Sequence, residues 1–234
     1  MERVDALKAA QLFIHQYYPD CTAALLAGSV VRGEATETSD LDIIVFDDHK
    51  GPYRESVIAF NWPVEVFVHN KTSYQSFFDS DIERARPSLL RMISEGIVLV
   101  DSVLVQAVKQ EADKLLKKGP APWNEQTVRT KQYMLTDALD DFQGSTDDAE
   151  SIFIANTLAD RLHEFILRTN GRWIGDSKWV VRAMREFDSV FTDRFVTVFD
   201  EFYRTRNKNP VIELAEEVLK PFGGRLFNGY SIGK

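Results

Sequence analysis

Apolar positions change their spacing along this chain, and the changes divide it. Residues 4–17 set Val4, Leu7, Ala10, Phe13, Ile14 and Tyr17 at the interval of a helix with one apolar face, and Pro19 marks its stop. Short runs rich in β-branched and aromatic residues follow at 22–27, 41–46, 55–60 and 64–69, the last two parted by Asn61-Trp62-Pro63. They predict one small mixed sheet with the first helix packed on it. Helical spacing returns over 73–95 with a break near Pro87, and the apolar run 97–100 after Gly96 reads as a returning edge strand.

Beyond Asp101 no strand pattern recurs, so the second half is expected to be all-α. Lys118-Gly119-Pro120-Ala121-Pro122 is a cluster of helix breakers, and helices are predicted near 123–142, 148–169, 178–187, 189–205 and 211–220. The class is α+β: a sheet-bearing domain over 1–105, then a helical bundle over 106–234. The boundary is soft between Asp101 and Trp123, because a helix over 103–118 fits either side.

Composition narrows the function. A chain of 234 residues, 44% hydrophobic and 27% charged, has the makeup of an ordinary folded protein and length enough for two domains. Its net charge of −8 and lack of a basic run argue against a long nucleic-acid partner. Cys21 is the lone cysteine and the four histidines are scattered, so neither an internal disulfide nor a zinc site is expected. The opening segment lacks the layout of a signal peptide and no apolar stretch is long enough to span a bilayer, which makes the cytoplasm the expected compartment and a membrane partner unexpected.

Chemistry concentrates between residues 25 and 65. An apolar strand ends in Gly28-Ser29, and ten residues later comes Asp40-Leu41-Asp42 at the head of the next strand. A strand that turns through Gly-Ser into a short helix exposes backbone N–H groups, and glycine lets a phosphate approach closely. Ser29 adds a hydroxyl, and Arg32 a positive charge, unless it pairs with Glu34 or Glu37. Strand alternation puts Asp40 and Asp42 on one face, expected to be polar, and Leu41, Ile43 and Val45 on the other, apolar one. Two neighbouring carboxylates repel unless a hard divalent cation joins them, and magnesium is the natural one. Glu65 interrupts the apolar run 64–68, costly at a buried position unless it too meets a cation. If its strand lies beside the first acidic one, three carboxylates converge, equipment for metal-assisted phosphoryl transfer.

This order, Gly-Ser, a gap of ten, Asp-x-Asp, then a strand acid, resembles the nucleotidyltransferase superfamily that includes DNA polymerase β. Within it the chain is most similar to small bacterial antibiotic-type enzymes (aminoglycoside and lincosamide nucleotidyltransferases) with a C-terminal helical bundle. The resemblance is specific over the first half; in the second it extends loosely to residues 170–179. It implies that Gly28 and Ser29, with Ser39, Arg32 and Lys178 as further candidates, bind the nucleotide. Asp40, Asp42 and Glu65 would hold two magnesium ions, Glu65 ligating the second or serving as general base. Some relatives take the base from the helical domain, which makes Glu164 and Asp160 alternatives, although Glu164 stands four residues before Arg168, the spacing of an ordinary surface ion pair. His69 shares strand parity with Glu65 but stands at a strand end, where a lone histidine is usually structural or exposed.

The implied reaction moves a nucleoside monophosphate, AMP from ATP by default, to a hydroxyl of a small antibiotic-like acceptor and releases pyrophosphate. A net-negative surface would favour cationic aminoglycosides. Two alternatives stay open, a protein AMPylase of the toxin–antitoxin type and a non-catalytic nucleotide-binding regulator. A homodimer is also open, since relatives can complete their sites across one.

Overall fold

The computed structural model describes residues 3–233. The chain divides into two compact units, Met1–Gly119 and Pro120–Lys234. The first holds a five-stranded mixed sheet with helices and the second is helical.

In the first unit α1 (Ala6–Tyr17) begins where the Asp5 carboxylate accepts from the Lys8 N–H at 3.1 Å, and buries Ala9, Ala10, Phe13 and Ile14. The strands are β1 (Ala23–Ala27), β2 (Leu41–Phe46), β3 (Tyr53–Ala59), β4 (Trp62–His69) and β5 (Ile97–Val100), in the order β3-β4-β2-β1-β5. Only β2 and β4 pair in parallel, and β5 closes one edge as its sequence suggested. The apolar face of α1 lies on Leu41, Ile43 and Val45 of β2 and Val64, Val66 and Val68 of β4. The Trp62 indole N–H donates to the Val4 carbonyl at 2.7 Å and fixes the start of that helix.

The opposite face is not polar throughout, contrary to the sequence reading. Ile44 and Phe46, on the same face as Asp42, are fully buried, and Phe46 meets Tyr74 of α2 (Ser73–Arg84) edge to face. Acidity is therefore confined to the leading end of β2, where a charge escapes the apolar interior. A break at Ala85, in the left-handed region, and Pro87 separates α2 from α3 (Ser88–Glu95). The buried Asp81 carboxylate accepts from the Leu89 and Leu90 N–H groups at 2.7 and 3.1 Å, capping α3 from outside the helix.

The helix α4 (Val103–Lys118) lies in the first unit with the sheet, and the division at Gly119 falls within the range 101–123 that the sequence left open. Its Lys109 ammonium donates to the Ile93, Ser94 and Gly96 carbonyls at 2.7–2.9 Å, closing the end of α3. In the second unit, α5 (Glu125–Gly144), α6 (Asp148–Thr169), α7 (Lys178–Phe187), α8 (Ser189–Thr205) and α9 (Asn209–Leu219) surround a core that includes Leu139, Phe142, Leu158, Leu162, Phe165, Phe202 and Leu214. Among the described residues no helix is long and apolar enough to cross a membrane.

Candidate metal and nucleotide site

Backbone pairing assembles the acidic group. In the register of the sheet Asp42 lies beside Glu65 on β4 and beside Ala27 on β1. Asp40 precedes β2, and ligand oxygens of Asp40, Asp42 and Glu65 all lie within 4.8 Å of one another. All three side chains are half-buried. Burial, then the charges of Asp40 and Glu65, push the Asp42 carboxyl from its ordinary 3.8 up to about 6, while Arg32 and Arg54 pull it down. Three hard oxygen donors whose mutual repulsion is only partly offset suit a divalent cation such as magnesium.

The turn above this group is shaped around Asp42. Gly28 has a φ of +81°, and a Cβ added there would stand 2.0 Å from Asp42 Oδ2. Glycine is therefore required twice, for its dihedral and for the room. Residues 29–33 form a turn rather than the expected short helix, with the Glu34 N–H bonded to the Ser29 carbonyl at 3.0 Å. The Ser29 hydroxyl donates to Ser39 Oγ at 3.2 Å, and that oxygen accepts from the Thr36 N–H at 2.8 Å, so Ser29 and Ser39 knit both ends of the loop. Arg32 pairs with Glu34, one of the two partners the sequence offered, and also with Glu95 of α3, at 3.2 and 3.0 Å.

Sequence reasoning missed two neighbours of Glu65 on the edge strand. The Arg54 guanidinium lies 2.5 Å from Glu65 Oε1, and the Ser56 hydroxyl donates to the same oxygen at 3.3 Å. Arg54 acts as a counter-cation to the acidic group. Arg54→Gln is expected to tighten Mn²⁺ binding about fivefold, the roughly 1 kcal/mol upper range of a largely exposed ion pair. Isothermal titration checks this, and unchanged or weaker binding would contradict the competition.

Lys178, Glu164 and Asp160 belong to the second unit. Lys178 is exposed at the first residue of α7. Glu164 binds Lys131 through both oxygens, at 2.7 and 2.9 Å, instead of forming the expected pair with Arg168. Arg168 is drawn elsewhere, donating to the Ala121 carbonyl at 2.7 Å. Asp160 is exposed, 3.6 Å from Nδ1 of His163. His69 is buried, and burial lowers its pKa to about 4, leaving a neutral imidazole at pH 7.

Residues 12–92 match the nucleotidyltransferase domain family. The matched span includes Gly28, Ser29, Asp40, Asp42 and Glu65. Among solved structures, the chain is similar to the crystal structure of a nucleotidyltransferase-like protein from Exiguobacterium sibiricum 255-15, at a TM-score of 0.48 and 12% identity over 92% of this chain and 74% of that one. No curated protein matches the sequence.

Proposed function

We propose that the protein is a magnesium-dependent nucleotidyltransferase that moves a nucleoside monophosphate, AMP from ATP, onto a hydroxyl of a small molecule and releases pyrophosphate. The observation that carries this reading is the parallel register of β2 and β4, which sets Asp42 beside Glu65 directly under the Gly28 turn. Asp40, Asp42 and Glu65 would hold magnesium, which when bound supplies positive charge to the phosphoryl oxygens and the leaving pyrophosphate. The Ser29 hydroxyl and the backbone of residues 28–33 orient the triphosphate, and Arg32 adds positive potential beside it. The acceptor oxygen bonds to the α-phosphorus as the bond to the bridging oxygen breaks, and pyrophosphate leaves with that electron pair. The hydroxyl proton passes to a carboxylate oxygen of the acidic group, for which Glu65 is the candidate.

Glu164 is the weaker candidate for that base because Lys131 already engages both of its oxygens. Glu164→Gln is expected to leave kcat/KM within about twofold and to cost about 1 kcal/mol or less of stability, as for a partly exposed ion pair. Steady-state kinetics checks the first part, and a large loss of kcat in a folded variant would move the base into the helical unit.

The net charge of −8 supports a small acceptor over a polynucleotide. The cationic-antibiotic expectation rests on that charge alone. The proposal as a whole is tested by pyrophosphate release from each NTP with magnesium, against aminoglycosides, lincosamides and small hydroxylated metabolites. Acceptor-dependent release is the expected result. Absence of both release and magnesium-dependent NTP binding would overturn the enzyme.

A further inference from the structure

The sheet face that bears Glu65 continues along β4 through Phe67 to His69, and there it borders a cavity of about 310 Å³ between the β3–β4 hairpin and α2–α3. That volume suits a small molecule. At about 3.3 Å per residue, Phe67 stands roughly 7 Å and His69 roughly 13 Å along the strand from Glu65. Arg54 joins the two places, since it contacts Glu65 and also lines the cavity, its guanidinium 5.1 Å from the centre of the Phe67 ring.

The lining has a definite chemistry. Phe67 and Phe77 offer ring surface, and Arg54 and Arg84 bring two guanidinium groups. Asp81, the carboxylate among these residues, is already committed: one oxygen accepts from the Leu89 and Leu90 N–H groups and the other from Arg84. Arg84 uses Nε toward the Ser80 carbonyl and Nη2 toward Asp81, so its Nη1 donors remain for a ligand among the described bonds. His69 is 3% exposed, and its Nδ1 is buried without a hydrogen-bond partner. A buried polar atom left unpaired costs stability, and one at a cavity wall is satisfied by a ligand or water that enters.

From this geometry we infer that the cavity holds the far end of the acceptor, and that the acceptor is a hydroxylated compound with a planar or apolar body and a carboxylate at the end away from the reacting hydroxyl. The inference rests on the nucleotidyltransferase reading and deepens it. The hydroxyl sits at the acidic group, the body lies along Phe67 against Phe77, and the anion is received by Arg84 with Arg54 beside it. Cationic acceptors are disfavoured by the same two guanidinium groups.

A matched pair of probes tests this on the full chain with magnesium and a non-hydrolysable ATP analogue present. 3-(4-hydroxyphenyl)propanoate carries a carboxylate where tyramine carries an ammonium, opposite the same phenolic hydroxyl. The carboxylate is expected to bind at least tenfold more tightly than the amine, to shift the assigned His69 ring signals, and to lose about tenfold in affinity in Arg84→Gln, the scale of one charge-assisted hydrogen bond. Arg84 is more than half exposed and Asp81 keeps its backbone bonds to α3 without it, so the variant should fold. Equal or preferred binding of tyramine, binding of neither probe, or carboxylate binding that Arg84→Gln and the His69 signals do not register would overturn the assignment. Titration of ATP with magnesium on the same samples separates the two readings. If nucleotide binding fails while the carboxylate binds as described, the transferase, and with it the acceptor role, falls. If nucleotide binds and the carboxylate does not, only the acceptor class falls.

Discussion

Asp42→Asn is expected to make the metal-free protein more stable at pH 7.5 while abolishing its response to magnesium. The carboxyl is raised to about 6 because burial and the charges of Asp40 and Glu65 oppose its ionisation. A folded-state value above the unfolded 3.8 means that the fold holds this proton more tightly than the unfolded chain does. The resulting stabilisation is complete below about pH 3.8 and is lost as pH rises through 6; above that the ionised carboxylate is a penalty on the order of 3 kcal/mol relative to its unfolded state. Asparagine removes the charge and keeps the shape. Melting in EDTA at pH 7.5 should therefore rise by about 5 °C or more, with a much smaller gain at pH 4.5. Magnesium should raise the melting temperature of the wild-type protein and leave that of the variant unchanged. Nucleotide transfer should fall roughly a thousandfold, the several kcal/mol that cation binding contributes to phosphoryl transfer. A variant that melts lower in EDTA at pH 7.5, or that still responds to magnesium, would show that Asp42 is held by something other than carboxylate repulsion.

Gly28→Ala should cost both stability and cation binding, through one methyl group. The residue sits at a φ of +81°, where an L side chain is strained by about 1 kcal/mol or more, and its Cβ would overlap Asp42 Oδ2 at 2.0 Å. The Asp42 carboxylate has to rotate away, which takes one ligand out of the group. Mn²⁺ affinity should drop by at least tenfold, and transfer should fall toward the level of Asp42→Asn. Gly33→Ala is the matched control, because Gly33 has a φ of +70° but no atom within 4 Å of its added Cβ. It should show the backbone strain with near wild-type Mn²⁺ binding. Equal loss of Mn²⁺ binding in both variants would attribute the effect to a distorted turn rather than to the collision with Asp42.

Much of this could be read from the chain itself. The helical interval of 4–17, the β-rich runs and the return to helical spacing after Asp101 gave the class, because burial on one face leaves a periodic trace in residue type. The spacing of Gly28-Ser29, Asp40-Leu41-Asp42 and Glu65 pointed to the acidic group for a similar reason: charges on otherwise apolar strands need a partner, and a turn glycine needs a cause. The neighbours of Glu65 were hidden by a turn of one residue fewer. A three-residue loop at 61–63 would set Ala59 opposite Glu65, whereas the actual turn, with Phe60 and Asn61 both at positive φ, starts β4 at Trp62 and sets Ser56 there. Arg54 follows Ser56 into the same neighbourhood, and no residue pattern within either strand reveals that shift.

Other features were decided only by packing. The helix over 103–118 has the same pattern whether it closes the sheet or opens the bundle, and it is the reach of Lys109 to three carbonyls at the end of α3 that assigns it to the sheet. The Phe46 and His69 end of the sheet lies under α2, and the cavity beside it is lined by residues separated by dozens of positions in the chain. The sequence by itself determined which elements form and which carboxylates carry charge into them, because both follow from local spacing and the cost of burying a polar group. The tertiary structure alone decided which residues face those carboxylates, because strand register and helix docking are settled by contacts between segments that the linear order keeps apart.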